Sequence, residues 1–385
     1  MDNPSTTAPL PASLTRLDEM DRAWAETSPG LRLDAVRRAG RALRQRLLGS
    51  GRVSAVRTFP VAIFPYPSEY GLAGAARSPA PYVMMRNATQ LVQVEADGGG
   101  RLINILVNPT QAERSLEAPF FARQIERYGK FLTQRILSRR YPDTAAALAE
   151  AGVAPEEIDF ITFDHLHTQD VRGLLGTTEP EPGKSEPTAP LLPNALLLVQ
   201  RPELRTLECL HPLQARWYVR DGIRAVPRDR IAVLDGDYLI GRGFALVRTP
   251  GHTEGNHSPV IHTDTGLWTV SENGVAVECY APLSSEIGGV RKHARETESE
   301  FILNSNTREN SLDQYVSMAL EKTLADPSAV RPEFPQCFPS SEMVRSVMAP
   351  GLKPTFSHGE IRCGEVRSRI RQRPEKSDRG ASSAA

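Results

Sequence analysis

Cysteine is scarce in this chain and scattered: Cys209, Cys279, Cys337 and Cys363 are the only four in 385 residues, and no two form a C-x-x-C pair. That excludes a disulfide framework and a thiolate zinc cluster, and fits reduced thiols in a cytoplasmic protein. Net charge is also lacking. Lys+Arg and Asp+Glu number 46 each, and no basic run is interleaved with aromatics, so neither a nucleic acid nor an anionic membrane surface is an expected partner. No apolar run reaches the roughly 18 residues of a membrane span, and the N-terminus MDNPSTTAPLPASLTRLDEM has no basic stretch leading into an apolar one. A soluble protein acting on a small molecule is the class left over, with its oligomeric state unread.

A hydrophobic content of 40% is enough for a large core. The spacing of Leu, Ala and Val from Leu14 to Leu48 favours helices broken at Ser28-Pro29-Gly30, which predicts an N-terminal helical extension over residues 1–55. Two β-rich runs flank Asp97-Gly98-Gly99-Gly100 and predict a hairpin. Residues 111–139 and 141–152 read as helices, the second closing on Gly152, and 156–163 as a short apolar strand. The segment 176–194, rich in Pro, Gly and Thr, reads as a loop placed to rim a site. Further strands follow to about residue 270, and 311–327 reads as an amphipathic helix. The main domain is expected over 56–362 and a disordered polar tail over 363–385.

Histidine is rare too, with only eight residues, yet several fall where strands give way to loops: His165 and His167 in "ITFDHLHTQDVRG", His252 in "TPGHTEGNH" and His358 in "FSHGE". Side chains alternate along an extended segment, so His165 and His167 point to one side, where neutral imidazoles can grip one ion at about 2.0–2.1 Å. Asp170 lies in the loop beyond them, where its carboxylate could turn back toward a second ion. The Pro-Gly turn before His252 presents that ring at a strand end. Of the other histidines only His257 is close enough in sequence to the site to matter.

Taken in order, these pieces resemble the metallo-β-lactamase superfamily over roughly residues 80–360. "DTAAALAEAGVAPEEIDFITFDHLHTQDVRG" is similar to its helix, connector, strand and H-x-H-x-D-H loop; "LDGDYLIGRGFALVRTPGHTEGNHS" to the stretch bearing the next metal histidine; "LWTVSENG" to that bearing a bridging aspartate; and "TFSHGE" to the last histidine. The resemblance implies an α+β fold, a four-layer αββα sandwich, with His165, His167 and His252 on a first ion and Asp170, Glu272 and His358 around a second. The chain departs from the pattern at Gln169, where the family has aspartate, at Asp170, where it has histidine, and at Glu272, where it has aspartate. The implied activity is metal-dependent hydrolysis of an ester, lactone, thioester or phosphoester, with Asp170 as the catalytic proton acceptor. One or two zinc ions are the implied cofactor. Manganese or iron would suit an oxygen-rich second position. The same residues leave two other readings: a di-iron member running redox or oxygen chemistry, and a non-catalytic binding protein on a degenerate scaffold.

Overall fold

The computed structural model describes residues 7–96, 98–129 and 139–370. In chain order its strands are β1 (Leu14–Leu17), β2 (Ala55–Pro67), β3 (Tyr82–Glu95), β4 (Leu102–Val107), β5 (Arg139–Arg140), β6 (Phe160–Thr162), β7 (Leu196–Gln200), β8 (Ile231–Leu234), β9 (Asp237–Ile240), β10 (Phe244–Arg248), β11 (His257–Thr263), β12 (Gly266–Ser271), β13 (Cys337–Pro339) and β14 (Ser341–Val344). One sheet runs β5-β2-β3-β4-β6-β7-β8, with β14 also on β3, and the other runs β1-β9-β10-β11-β12-β13. The expected hairpin joins β3 to β4, and Gly98, Gly99 and Gly100 all take positive φ there. The short strands β6, β7 and β8 pair in parallel, and their nearly unbroken apolar sequences suit strands covered on both faces.

Alternation of side chains along the strands sorts the core into layers. Val92, Ile105 and Leu198 of the first sheet meet Leu246, Ile261 and Val270 of the second between the sheets. Leu91, Leu106 and Leu197, pointing the other way, pack under helices Thr144–Ala151 and Arg201–Glu208 through Leu148 and Leu204. On the far side, Val247, Val260 and Leu267 carry helices Pro29–Gly49 and Ser311–Leu324 through Leu43 and Leu320. This is the four-layer αββα sandwich that the resemblance implied.

Both ends of the chain depart from expectation. Residues 14–17 are a strand and not a helix: β1 pairs antiparallel with β9, from Leu14 opposite Ile240 to Leu17 opposite Asp237. The N-terminal section therefore supplies an edge strand and an outer-layer helix of the sandwich itself. The C-terminal segment is docked at least to Ile370, since Cys363 bridges Val56 and Arg369 Nη1 donates to Leu102 O at 3.0 Å and pairs with Asp159. The remainder of the expected tail, 371–385, and part of the expected helix 111–139 lie outside the described residues. Among the described residues no helix is long and apolar enough to cross a membrane.

At the start of β9 the Asp237 carboxyl is buried, its Oδ1 accepting the Arg248 N–H at 2.7 Å and its Oδ2 without a partner. Burial pushes its pKa up to about 7 from 3.8. The folded chain thus holds a proton that the unfolded chain gives up near pH 4. This residue's contribution is fully present below that pH and is withdrawn as pH rises to about 7, by roughly 4 kcal/mol at most. Asp237→Asn keeps the acceptor for Arg248, so urea unfolding should show the variant gaining on wild type steadily from pH 4 to 8. A wild-type-minus-variant difference that is flat with pH would contradict this.

Candidate metal centre and pocket

The H-x-H segment begins where β6 ends, at the carboxyl edge of the parallel strands. Its backbone is pinned from two sides: Asp164 N–H donates to Asn108 Oδ1 at 3.0 Å, and Asp164 O accepts the His257 N–H at 2.9 Å. His252 arrives from the other sheet through the Pro-Gly turn. A Cβ on Gly251 (φ +142°) would lie 2.2 Å from the Gln314 backbone, so only glycine fits where this turn passes the helix. His252 N–H donates to Asn273 Oδ1 at 3.2 Å, and Asn273 Nδ2 in turn donates to buried Glu321 at 2.7 Å.

One carboxylate ties the two histidine-bearing turns together. Glu203 Oε1 accepts Leu166 N–H at 2.8 Å and Tyr218 Oη–H at 3.1 Å, while Oε2 accepts Thr253 Oγ–H at 2.6 Å. Gly255 passes so close that a Cβ there would lie 2.3 Å from Glu203.

His165, His167 and His252 converge. Their ring centroids are 4.8, 4.4 and 5.0 Å apart, and one nitrogen of each lies within 4.8 Å of the others. His167 Nδ1 and His252 Nε2 face each other at 3.2 Å. Two nitrogens on a tetrahedral ion at 2.0–2.1 Å stand about 3.3 Å apart, so this pair already has the spacing of ligands to one ion. Burial first, then the neighbouring imidazoles, holds His167 and His252 well below the ordinary histidine pKa, which keeps them in the neutral form that binds metal. Burial also opposes charge on His165, but the Asp164 carboxylate outweighs it and raises that pKa. His165 Nδ1 stands 3.1 Å from Asp164 Oδ1, a charge contact without hydrogen-bond geometry. His167 Nε2 and His252 Nδ1 are buried without partners. Three converging, under-satisfied imidazoles, two of them held neutral, are a donor set that fits a divalent ion.

The other expected site residues divide. Glu272 lines the same pocket, where burial pushes it up to about 8 and Ser341 hydrogen-bonds it. Asp170 and His358 are elsewhere. Thr168 takes a left-handed φ of 59° and donates its N–H to Trp217 O at 2.6 Å, so the chain reverses after His167. Asp170 is thereby carried into an arginine clamp: Oδ1 accepts from Arg172 N and Nε at 3.0 and 2.9 Å, and Oδ2 from Arg172 Nη2 and Arg114 Nη1 at 2.6 and 3.0 Å. His358 Nε2 lies 3.1 Å from Pro335 O, with the ring packed among Trp268, Phe338 and Phe356. Among the described residues, the three histidines are the one group of His, Cys, Asp and Glu arranged to share an ion. His257, the neighbour worth watching, instead meets Thr162 Oγ1 at 2.8 Å, and burial pushes it down to about 4.

The histidines lie at the floor of a cavity of about 1080 Å³, its open mouth included. Phe64, Tyr66, Leu116, Phe120, Phe121 and Trp217 give it an apolar wall, with Phe120 and Trp217 only 4.6 Å apart. No residue of 176–194 lines it: that loop is drawn away by Glu181, which pairs with Arg114 at 2.8 Å. Sequence reasoning missed Asp164, Asn108, Glu203 and Ser340. Only Asp164 carried a signal, as an acidic residue directly before H-x-H; its Oδ2 accepts Ser340 Oγ–H at 2.6 Å.

No family model matches the chain. An N-acyl homoserine lactonase from a Bacillus species is 26% identical over 117 residues, 30% of this chain and 38% of the lactonase, so the match takes in well under half of that relative. Among solved structures, the dizinc quorum-quenching lactonase AidC is similar with a TM-score of 0.47 and 14% identity, over 79% of this chain and 95% of that one. A probable metal-dependent hydrolase from Staphylococcus aureus has a TM-score of 0.47 and 10% identity, over 70% and 84% of the two chains. An N-acyl homoserine lactone hydrolase with its product N-hexanoyl-L-homoserine at the metal centre has a TM-score of 0.41 and 18% identity, over 65% and 90%.

Glutamine at position 203 presents one acceptor where the carboxylate presents two, so Glu203→Gln strands either the Leu166 side or the Thr253 side of the brace. Metal affinity, read by competition with a chromogenic chelator, should weaken by about tenfold or more with the fold retained. Unchanged affinity would show that the brace does not hold the histidines in place.

Proposed function

We propose that this chain is a metal-dependent hydrolase with one divalent ion, zinc, held by His165, His167 and His252, acting on a small ester, lactone, thioester or phosphoester. The observation that carries this reading is the convergence of three buried imidazoles in the lining of an open, aromatic-walled pocket, with His167 and His252 held neutral. An all-imidazole set suits zinc. The clamp on Asp170 engages one of the two carboxylates, Asp170 and Glu272, on which a manganese or iron reading rested, and this supports zinc. The similarity to an N-acyl homoserine lactonase and the apolar wall together favour, within that range, a lactone or ester with an apolar acyl group.

A divalent ion in this position supplies acidification of water and polarisation of a carbonyl or phosphoryl oxygen. The chain's own residues do the rest. Asp164 ties down the backbone at His165, and its two oxygens are committed, Oδ1 to the His165 backbone N–H at 3.0 Å and Oδ2 to Ser340 Oγ–H. Glu272, hydrogen-bonded by Ser341, is the pocket-wall carboxyl to which we give the proton exchange with a substrate, the role that sequence reasoning had given to Asp170. The aromatic wall excludes water from the acyl side.

His252→Ala should abolish hydrolysis across a panel of lactones and chromogenic esters while circular dichroism stays native. Full turnover in that variant would contradict the assignment. Glu272→Gln should slow turnover by about 10²-fold or more with the ion retained. Asp170→Asn should do the reverse, lowering the urea midpoint by the equivalent of about 1–3 kcal/mol because it uncovers buried guanidinium groups, with turnover changed no more than a few-fold. A large loss of turnover in the Asp170 variant at native stability would return the catalytic role to that residue.

A further inference from the structure

Asn108, the residue immediately after β4, is held more firmly than a loop asparagine needs to be. Its φ of 53° lies in the left-handed region. Its N–H donates to Thr162 O at 2.8 Å, and its carbonyl accepts Thr89 Oγ–H and Thr110 N–H, both at 2.7 Å. The side-chain orientation is fixed as well: Oδ1 accepts the Asp164 N–H at 3.0 Å, and because a backbone N–H only donates, the amide cannot be turned over. The NH₂ end is left pointing away from that bond. The residue is 2% exposed and lines the pocket beside Asp164 and His165, and Nδ2 has no hydrogen-bond partner.

A buried donor without a partner is costly, and the left-handed backbone adds to that cost. Such a group belongs where a ligand completes it. The other polar atoms of the wall narrow the choice of ligand atom. Asn87 Oδ1 and Asn306 Oδ1 are unpartnered acceptors, and Asp164 and Glu272 add carboxyl oxygens. Outside the three histidines, the unpartnered buried donors among the described lining residues are Asn108 Nδ2 and Trp217 Nε1, and Asn108 is the one whose side chain bonds the backbone of Asp164, directly before the H-x-H. A substrate oxygen with lone pairs to satisfy beside His165 meets a donor there.

We propose that Asn108 Nδ2 donates a hydrogen bond to the carbonyl oxygen of the substrate's acyl group, fixing that carbonyl beside the histidine cluster. This rests on the hydrolase reading of the pocket. It makes Asn108 a substrate-contacting residue that selects carbonyl compounds over those with only donor groups at that point.

Asn108→Asp separates this role from a structural one, since it keeps the acceptor for Asp164 N–H and tolerates the left-handed backbone but removes the donor. Two measurements on the zinc-loaded full chain are needed: kcat/KM for p-nitrophenyl butyrate, and calorimetric binding of butyramide, a neutral carbonyl probe that need not react. The expected result is a loss of about 10²-fold in kcat/KM and about tenfold or more in butyramide affinity, with zinc content and urea midpoint at wild-type values and neither loss recovered by added salt. Wild-type turnover and binding in the variant would overturn the proposal and leave the hydrolase reading standing. Recovery in salt would assign the loss to the added charge and overturn it too. Butyramide binding that depends on Asn108 in a wild type without hydrolysis would uphold the contact and sink the hydrolase reading, and a wild type that neither binds nor hydrolyses would sink both.

Discussion

Imidazoles buried side by side repel one another when charged and stay together only if something holds the turns that carry them, and the site is organised around that constraint. His165 and His167 come from the end of β6 in one sheet, and His252 from the turn between β10 and β11 in the other. Glu203 bridges the two turns by accepting from Leu166 and Thr253. Asn273 and Glu321 repeat the device behind His252. The sandwich brings the strand ends together, and these buried carboxylates convert proximity into a fixed donor set.

The same geometry settles what the neighbouring acidic groups can do. The left-handed turn at Thr168 sends Asp170 away from the histidines and into Arg114 and Arg172, where it organises charge and reaches no further. That clamp also engages Glu181, which anchors the long loop 176–194 beside the pocket without letting it cover the opening. Glu272 and Asp164 remain on the pocket wall, the first hydrogen-bonded by Ser341 and the second by the His165 backbone and Ser340. Asn108 joins the strand β4 to the H-x-H loop and faces the cavity with the other end of its amide.

Much of this was legible in the sequence because it is local. The H-x-H spacing at a strand end, the Pro-Gly turn before His252, the three-glycine hairpin and the helix closing on Gly152 (φ 70°) are each written in a few consecutive residues. The parts that were misread depend on contacts distant in sequence. Leu14–Leu17 looked helical because nothing nearby announces β9, its partner more than two hundred residues on. Asp170 looked like a ligand because Arg114 lies far upstream and Thr168 is not a residue that ordinarily marks a left-handed turn. His358 fitted a motif by order alone, and aromatic packing places it out of reach. Glu203, an ordinary glutamate near a helix start, acquires its role only when two turns fold over it.

The most direct test of the account is metal-edge X-ray absorption on the purified, zinc-reconstituted chain, with elemental analysis on the same sample. The account predicts one ion per chain, with a scattering shell of three imidazole nitrogens at about 2.0–2.1 Å. Two ions per chain, a shell dominated by carboxylate oxygen, or no bound ion after reconstitution would contradict it.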